Sequence, residues 1–394
     1  MTEHFPILLV LVPLLTAVLI PLLARVHGSI PWMMTMLSSA LAFLVSIALL
    51  LRVLSEGRIS YWLGNWPPPW GIEYAVDYLN GFVLVVVSFI ALMVAIYSRT
   101  SIEKEIRQFR HTAFYTLYML LVAGLLGIVI TGDIFNLYVF IEISSLAGYA
   151  LIASGTREKA LTASFNYLIL GTIGATFLIM GVGLLYMVTG TLNMADLGER
   201  LPELYESRVV LTAFAFFSVG LSLKMALFPL HIWMPNAYTH APSAVSAILA
   251  AISTKVGAYA LIRIMFTVFD VEFATSVSYE MIFIILASAG ILAGSILAIA
   301  QTNLKTMLAY SSVAQIGYIV LGAALINETA LTGSIMHILN HALMKGALFL
   351  VAGAVVLRTG AEDISALRGL GRKMPFTMAA FTVASLSMIG VPLT

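Results

Sequence analysis

Long apolar segments separated by short polar turns run through almost the whole chain. About twelve of these segments reach the roughly 20 residues that an α-helix needs to cross the hydrocarbon core of a bilayer. The pattern therefore predicts an all-α polytopic membrane protein with about twelve transmembrane helices. The predicted spans are, in chain order, Phe5–Ala24, Pro31–Leu54, Asp77–Tyr97, Thr112–Thr131, Ile134–Ala153, Ala160–Val188, Val209–His240, Ser243–Phe269, Tyr279–Ala300, Leu304–Ile326, Ala330–Leu357 and Pro375 to the end.

The composition supports the same interpretation and excludes several classes of function. Of the 394 residues, 61% are hydrophobic and only 10% are charged, whereas soluble domains carry about 25% charged residues. The absence of cysteine excludes disulfides, thiolate zinc sites and cysteine-ligated iron-sulfur clusters. No dinucleotide-binding fingerprint is found, so we expect no cofactor and no redox centre on this chain. A net charge of +1 without a long basic cluster argues against nucleic acid as a partner.

The distribution of Lys and Arg predicts the orientation of the chain in the membrane. With the N-terminus outside, twelve of the twenty basic residues fall in inside loops, five fall outside and three lie within spans. The excess on the inside favours an extracytoplasmic N-terminus. The first span has no basic segment before it and no small-residue cleavage site, so we interpret it as a retained helix and not as a signal peptide.

Four ionisable residues interrupt segments that otherwise resemble transmembrane helix: Glu142, Lys224, Lys255 and Lys345. A charged side chain near the bilayer centre costs about 2.5–3.5 kcal/mol on insertion scales. Residues of this kind usually face the interior of a helix bundle, pair with one another and mark an ion pathway. We therefore predict that Glu142 and Lys224 form an ion pair. The alternative for Glu142 is a neutral acid that hydrogen-bonds to a neighbouring helix.

Prolines interrupt the apolar segment that follows Lys224. The run from Gly220 to Pro235 should break near Phe228–Pro229, because proline lacks a backbone donor and clashes with the preceding turn. The run from Ser385 to Thr394 carries similar glycine and proline positions, with a second break near Pro392. Interrupted helices in corresponding positions indicate an inverted-repeat transporter with its site between the repeats. The alternative is a simple kink, with the lysine extended towards the surface.

Three titratable residues recur at intervals of four on one predicted helix: His337, His341 and Lys345. At 3.6 residues per turn, steps of four keep all three on one face. Such a stripe inside a membrane span indicates a proton or cation path. Haem ligation is the competing explanation, but two histidines four apart on one helix cannot occupy opposite axial positions of one iron.

Two further sites have both a functional and a structural interpretation. His231 follows the predicted break and lies in sequence between the two central lysines, so it is either a proton relay between them or a hydrogen-bonded core residue. Lys305 lies at the start of a predicted helix and should be at the membrane interface. Nearby polar side chains are expected to join helices by hydrogen bonds; these are Ser311, Ser312 and Gln315.

Four runs of sequence resemble the antiporter-like proton-translocating membrane subunits. This family includes the D subunit of Mrp sodium/proton antiporters, the matching subunit of membrane-bound hydrogenases and sulfane reductases, and the large membrane-arm subunits of respiratory complex I. The likeness covers nearly the whole chain, although different runs look closer to different members. The runs are Gly64-Asn65-Trp66-Pro67, Thr131 to Leu137, Thr189 to Asp196 and Phe228 to Pro235.

The resemblance implies two inverted five-helix repeats with broken helices, the second of them incomplete. Residues 1–111 would hold three N-terminal helices and an outer loop, residues 112–269 the first repeat with its break near Pro229, and residues 270–394 the second repeat, truncated at the break near Pro392. The family carries a further Lys or Glu after the Gly-Val-Pro run, and this sequence stops before it.

The resemblance also implies roles for particular residues. Glu142 and Lys224 look like the coupling ion pair of the family and Lys255 like its central proton carrier. The stripe of two histidines and Lys345 looks like the link onward.

From this resemblance we expect a proton-translocating or cation–proton antiporter subunit of a multi-subunit complex in a prokaryotic plasma membrane. Other membrane subunits, lipid and H⁺ are the expected partners, with Na⁺ as a further candidate ion. Two alternatives stay open, namely a self-sufficient secondary Na⁺/H⁺ antiporter and a non-transporting scaffold whose polar groups only join helices.

Overall fold

A computed structural model describes residues 2–391 of the chain. The second break, predicted near Pro392, lies outside the described residues. The helices and strands are α1 Phe5–Leu23, α2 Ile30–Glu56, β1 Ile59–Trp62, β2 Glu73–Val76, α3 Tyr78–Glu105, α4 His111–Ile130, α5 Ile134–Ala153, α6 Ala160–Thr189, α7 Met194–Arg200, α8 Arg208–Met225, α9 Trp233–His240, α10 Ser243–Ile248, α11 Thr254–Arg263, α12 Val271–Ser276, α13 Tyr279–Ile299, α14 Leu304–Ala324, α15 Glu328–Thr359, α16 Leu370–Lys373 and α17 Pro375–Ile389.

The described part of the chain contains eleven helical segments that are long and apolar enough to cross a membrane. One of them, Ser243–Val268, consists of α10 and α11 together with two π-helical turns, Leu249–Ser253 and Ile264–Val268. The apolar helix α17 is shorter, with 15 residues. The prediction of an all-α polytopic membrane protein is confirmed.

The loop between α2 and α3 contains a β-hairpin that the sequence analysis did not predict. Strands β1 and β2 pair in antiparallel register, and their Ile, Tyr, Trp and Val residues favour extended backbone. Glu73 on β2 is buried and accepts hydrogen bonds from Ser60 Oγ at 2.6 Å and Asn193 Nδ2 at 2.8 Å. The backbone N–H of Gly132 donates to the Glu73 carbonyl at 2.9 Å. These bonds fix the hairpin to the turns before α5 and α7.

Two backbone clasps of the same design join loops of the bundle. The first clasp pairs Asp133 with Asn193, the second pairs Asn303 with Asp363, and each pair is sixty residues apart. All four side chains cap the helical turn that follows them. Each clasp is flanked by two backbone hydrogen bonds: Ile134 N to Leu192 O at 2.9 Å and Met194 N to Gly132 O at 2.8 Å in the first, and Leu304 N to Glu362 O and Ile364 N to Thr302 O, both at 2.9 Å, in the second.

The two clasps lie at opposite ends of the bundle. The first clasp contacts the hairpin through a bridge between Tyr74 and Thr131. The second contacts the turn between α5 and α6, because Arg157 in that turn pairs with Glu362. Since α5 runs from the first clasp to the Arg157 turn, the same local structure occurs once at each end, as an inverted repeat would produce.

Candidate functional site

The predicted helix break lies between α8 and α9. Helix α8 ends at Met225, and Ala226 takes a left-handed conformation with φ +60°. Carbonyl groups at a helix end in a membrane need partners from the protein. The Leu227 N–H donates to the Ser222 carbonyl at 2.9 Å, and Trp233 Nε1 donates to the Leu223 carbonyl at 3.0 Å. At the break, Trp233 at the start of α9 therefore supplies a hydrogen-bond donor for a carbonyl at the end of α8.

Glu142 and Lys224 lie together, on α5 and at the end of α8. Lys224 Nζ is 3.4 Å from Glu142 Oε1 and donates to Ser145 Oγ at 2.8 Å. The Lys224 side chain is 7% exposed, whereas the Glu142 side chain is 24% exposed, so the carboxylate is less deeply buried than its position in the span indicated. A buried ion pair needs further hydrogen bonds to offset desolvation, and Ser145 provides one here.

A small cavity extends from Lys224 towards the helix that carries Lys255. Its volume is about 20 Å³, and its polar lining includes Ser145, Tyr167 and Ser253. A cavity of this size with several polar neighbours accommodates about one water molecule. Ser253 belongs to the π-helical turn Leu249–Ser253, so polar groups continue from Lys224 to the turn that precedes Lys255.

Lys255 lies in the interior of the bundle, with 1% of its surface exposed. Its ammonium group donates a hydrogen bond to the Ala250 carbonyl in the π-helical turn. Such turns often occur at functional sites, because they disturb the regular helical hydrogen bonds. The turn packs against α15, the helix that carries His341 and Lys345.

His337, His341 and Lys345 are brought together on one face of α15. Lys345 is fully buried; its Nζ donates to the Leu308 carbonyl at 3.1 Å and to Ser311 Oγ on α14. His337 Nε2 is 2.7 Å from the Gln315 side-chain oxygen. Ser311 and Gln315, expected only to join helices, thus contact two of the predicted pathway residues.

His341 is fully buried, and neither of its ring nitrogens has a hydrogen-bond partner among the described residues. Its ring stacks on that of His337, with centroids 6.0 Å apart and planes 12° apart. Leaving a buried polar group unpaired costs about 1–3 kcal/mol. The protein itself offers no such partner to the His341 ring within residues 2–391.

His231, the candidate relay between the two central lysines, lies just past the break between α8 and α9. Its ring stacks on Phe228 at 5.3 Å and lies 6.3 Å from the ring of Tyr310 on α14. The cause is the break, which turns the chain away from the axis of α8 and packs Phe228 against Gly290 of α13. The structure therefore places His231 on the side of α13 and α14.

Lys305 lies at the start of α14, as predicted, but it is buried inside the protein. The residue is 1% exposed, and its Nζ donates to the Ala241 carbonyl at 3.2 Å. Ala241 follows the last residue of α9, and the carbonyls at a helix end attract cations. The sequence analysis could not place this helix end beside α14, because the contact depends on the break in the helix that contains α8 and α9.

The amino-acid sequence is similar to those of known membrane subunits. Residues 131–394 match the profile of a family described as NADH:quinone oxidoreductase/Mrp antiporter, transmembrane. The chain is similar to NADH-quinone oxidoreductase subunit N of Desulforudis audaxviator, with 49% identity over 397 residues, covering 100% of this chain and 78% of the relative. It is also similar to the D subunit of the Na⁺/H⁺ antiporter of Bacillus subtilis, with 32% identity over 391 residues, 99% of this chain and 78% of the relative.

Two solved complexes contain a chain of the same fold. One is the membrane-bound sulfane sulfur reductase, an archaeal respiratory membrane complex, with a TM-score of 0.93 and 33% identity over 98% of this chain and 78% of that chain. The other is the Mrp complex from Dietzia sp. DQ12-45-1b, with a TM-score of 0.90 and 30% identity over 99% of this chain and 71% of that chain.

Proposed function

Because the chain belongs to the NADH:quinone oxidoreductase/Mrp antiporter family, we propose that it translocates protons as one subunit of a larger membrane complex. It is a multi-pass, antiporter-like membrane subunit, and its relatives are subunits of multi-subunit membrane complexes. The proposed axis runs from Glu142 and Lys224 through Lys255 to the stripe on α15 that is formed by His337, His341 and Lys345. His231 faces α14 and is kept as a side branch of this axis.

The contact between Glu142 and Lys224 carries the proposal. While Glu142 is ionised, its charge stabilises the ammonium form of Lys224. When Glu142 gains a proton, Lys224 loses that stabilisation and releases a proton towards Ser145 and the adjoining cavity. Protonation of Glu142 neutralises its carboxylate. Each later transfer between lysine and histidine leaves the donor neutral and the acceptor charged, so one positive charge advances at each of these later steps.

The second half of the axis has the chemistry to continue the transfer. Lys255 takes up the proton next to the π-helical turn, and this turn packs against α15, the helix that carries His341. The two stacked imidazoles accept and pass a proton through their ring nitrogens. The Gln315–His337 contact borders one end of the stripe, where a cavity of about 750 Å³ lies beside His337. Lys345 lies at the other end of the stripe, beside Ser311.

Removing the two charges separately and together tests the proposal in the assembled complex. We expect Glu142→Gln and Lys224→Met each to lower proton flux at least about tenfold, because each removes a charge-assisted contact worth about 1.5–3 kcal/mol. Flux is measured in membrane vesicles and normalised to the amount of assembled complex. Glu56→Gln, at an exposed ion pair on α2, is the control and should keep normal flux. Wild-type flux in the double variant would refute the proposal.

The same preparations separate the two alternatives. A non-transporting scaffold predicts that charge removal lowers the amount of assembled complex while flux per complex stays normal. A self-sufficient antiporter predicts cation-dependent pH changes by the purified chain alone in liposomes. The similarity to the Na⁺/H⁺ antiporter of Bacillus subtilis makes Na⁺ the first cation to supply in that assay.

A further inference from the structure

The carboxyl end of α9 is held by side chains from two other parts of the chain. Arg157, in the turn between α5 and α6, donates to the Thr239 carbonyl at 3.1 Å. Lys305 on α14 donates to the Ala241 carbonyl at 3.2 Å. The hydroxyls of Thr239 and Thr306 lie 2.9 Å apart. We call Arg157, Lys305 and Thr306 the α9 anchor.

The charges of the anchor match what a helix end requires. The last carbonyls of a helix have no partner within it and carry a partial negative charge, so cations stabilise them. Within residues 2–391, Lys305 has no carboxylate at ion-pair distance although it is almost fully buried. The end of α9 therefore supplies a hydrogen-bonding partner for this buried lysine.

The anchor is continuous with the second clasp. Arg157 pairs with Glu362, and Glu362 Oε2 also accepts a hydrogen bond from Asn303 Nδ2 at 3.0 Å. Asn303 caps α14, whose second residue is Lys305. Thus α9, α14 and the turn between α5 and α6 meet in one hydrogen-bonded cluster at a single end of the bundle.

Helix α9 connects this cluster to the proposed ion pair. It has eight residues and is about 12 Å long at 1.5 Å per residue, so it should move as a rigid piece. At its other end, Trp233 donates to the carbonyl of Leu223, the residue before Lys224. A shift of the anchor is therefore transmitted to the backbone beside Lys224.

We propose that Arg157 and Lys305 are positioning residues that hold α9 to α14 and so set the position of Lys224 from the far end of the broken helix. Lys305 acts here through its bond to a helix end and not as a carrier of the transported proton. The effect on transport rests on the proposed function, whereas the effect on the position of α9 does not.

The absence of cysteine allows the position of α9 to be measured directly. Spin labels on Asn236→Cys and Thr302→Cys report the distance between α9 and the start of α14, and both native residues are exposed. Labels on Ile282→Cys and Thr302→Cys report a distance between α13 and α14 as an internal reference. Pulsed electron resonance on the assembled complex compares Lys305→Met and Arg157→Ala with the parent.

Arg200→Ala is the matched control, because Arg200 also joins a carboxylate and a helix-end carbonyl. It pairs with Asp196 at 2.8 Å and donates to the Thr189 carbonyl at 2.8 Å, far from α9. We expect both anchor variants to broaden the distribution of distances between the labels at 236 and 302 and to lower proton flux about tenfold, the effect of losing one charge-assisted bond. The reference distance should not change, and Arg200→Ala should alter neither quantity.

Conservative variants distinguish positioning from proton carrying. Lys305→Arg keeps a permanent cation that cannot release its proton, so it should retain the narrow distribution and at least about half of the flux. Loss of flux in Lys305→Arg with an unchanged distance would identify Lys305 as a proton carrier and overturn the proposal.

An unchanged distance in Lys305→Met and Arg157→Ala would overturn the proposal as well. If Lys305→Met does not assemble, Arg157→Ala decides, because that side chain is 29% exposed. Normal flux in the Glu142 and Lys224 variants would refute the proposed function alone and leave the distance result intact.

Discussion

At the scale of single residues, most of the buried lysines are satisfied by main-chain carbonyls and not by carboxylates. Lys255 bonds to Ala250 and Lys345 to Leu308, whereas Lys224 has the carboxylate of Glu142. Carbonyl partners compensate part of the desolvation of an ammonium group without fixing a counter-charge beside it. A proton can then leave such a lysine without leaving an unpaired buried anion, which suits a group that must alternate between charged and neutral forms.

Two adjacent serines on α14 offer a residue-scale test of this idea. Both Ser311 and Ser312 donate to the Leu308 carbonyl at 3.0 Å, but only Ser311 also accepts a bond from Lys345. We expect Ser311→Ala to lower proton flux about tenfold, because it removes a partner of a buried ammonium group. Ser312→Ala should have nearly normal flux. Equal flux in the two variants, measured in vesicles with the complex assembled, would contradict a role for the Ser311–Lys345 contact.

The residues of the candidate site could be found from the sequence more readily than their partners. Charge inside an apolar span was enough to single out Glu142, Lys224, Lys255 and Lys345. The spacing of four between the titratable residues of α15 predicted that they share one face of that helix. The position of His231 could not be derived, since it depends on the direction in which the chain turns after the break. The burial of Lys305 depends on a contact between elements that are distant in sequence, and no local pattern encodes such a contact.

At the scale of elements, the break between α8 and α9 is stabilised by one tryptophan. Trp233 bonds to the Leu223 carbonyl, and its ring stacks on Tyr167 at 3.9 Å. Since Tyr167 lines the small cavity beside Lys224, the same side chain closes the broken helix and shapes the polar region near the ion pair. Prolines in the sequence predicted the break, but not the side chain that completes it.

A tryptophan elsewhere provides a matched comparison for this element. Trp32 Nε1 donates to the Ala95 carbonyl at 3.0 Å, the same kind of bond at the same length. We expect Trp233→Phe and Trp32→Phe each to lower the free energy of unfolding by about 0.5–1.5 kcal/mol, because each removes one hydrogen bond to a carbonyl that keeps a second donor. The second donors are Ala226 N at 3.3 Å and Ser98 Oγ at 2.7 Å. Thermal unfolding in detergent measures this loss. Only Trp233→Phe should also reduce flux per assembled complex. A similar reduction in Trp32→Phe would show that the effect is general destabilisation.

At the scale of the whole molecule, hydropathy predicted the spans, but the hairpin between α2 and α3 and the two clasps were not foreseen. The hairpin strands have only four residues each and depend on Glu73 bonding to distant loops, so they give little local signal. The clasps did leave a signal in two segments of the sequence, Thr189 to Leu197 and Thr359 to Leu367. Both segments start with Thr-Gly, contain a polar residue that pairs in its clasp, and end with Leu. The division at residues 112 and 270 stays a prediction.

The orientation of the whole bundle is a prediction that decides the direction of the proposed axis. The excess of Lys and Arg in alternate loops predicts that the N-terminus and the hairpin lie outside, with the α9 anchor on the cytoplasmic side. Single cysteines can test this without background, because the native chain has none. Ser55→Cys and Glu158→Cys replace exposed residues at the two ends. A membrane-impermeant thiol reagent should label the first in intact cells and the second only after the cells are opened. The reverse pattern would place the second clasp and the anchor outside, so protons would enter the axis from the opposite face.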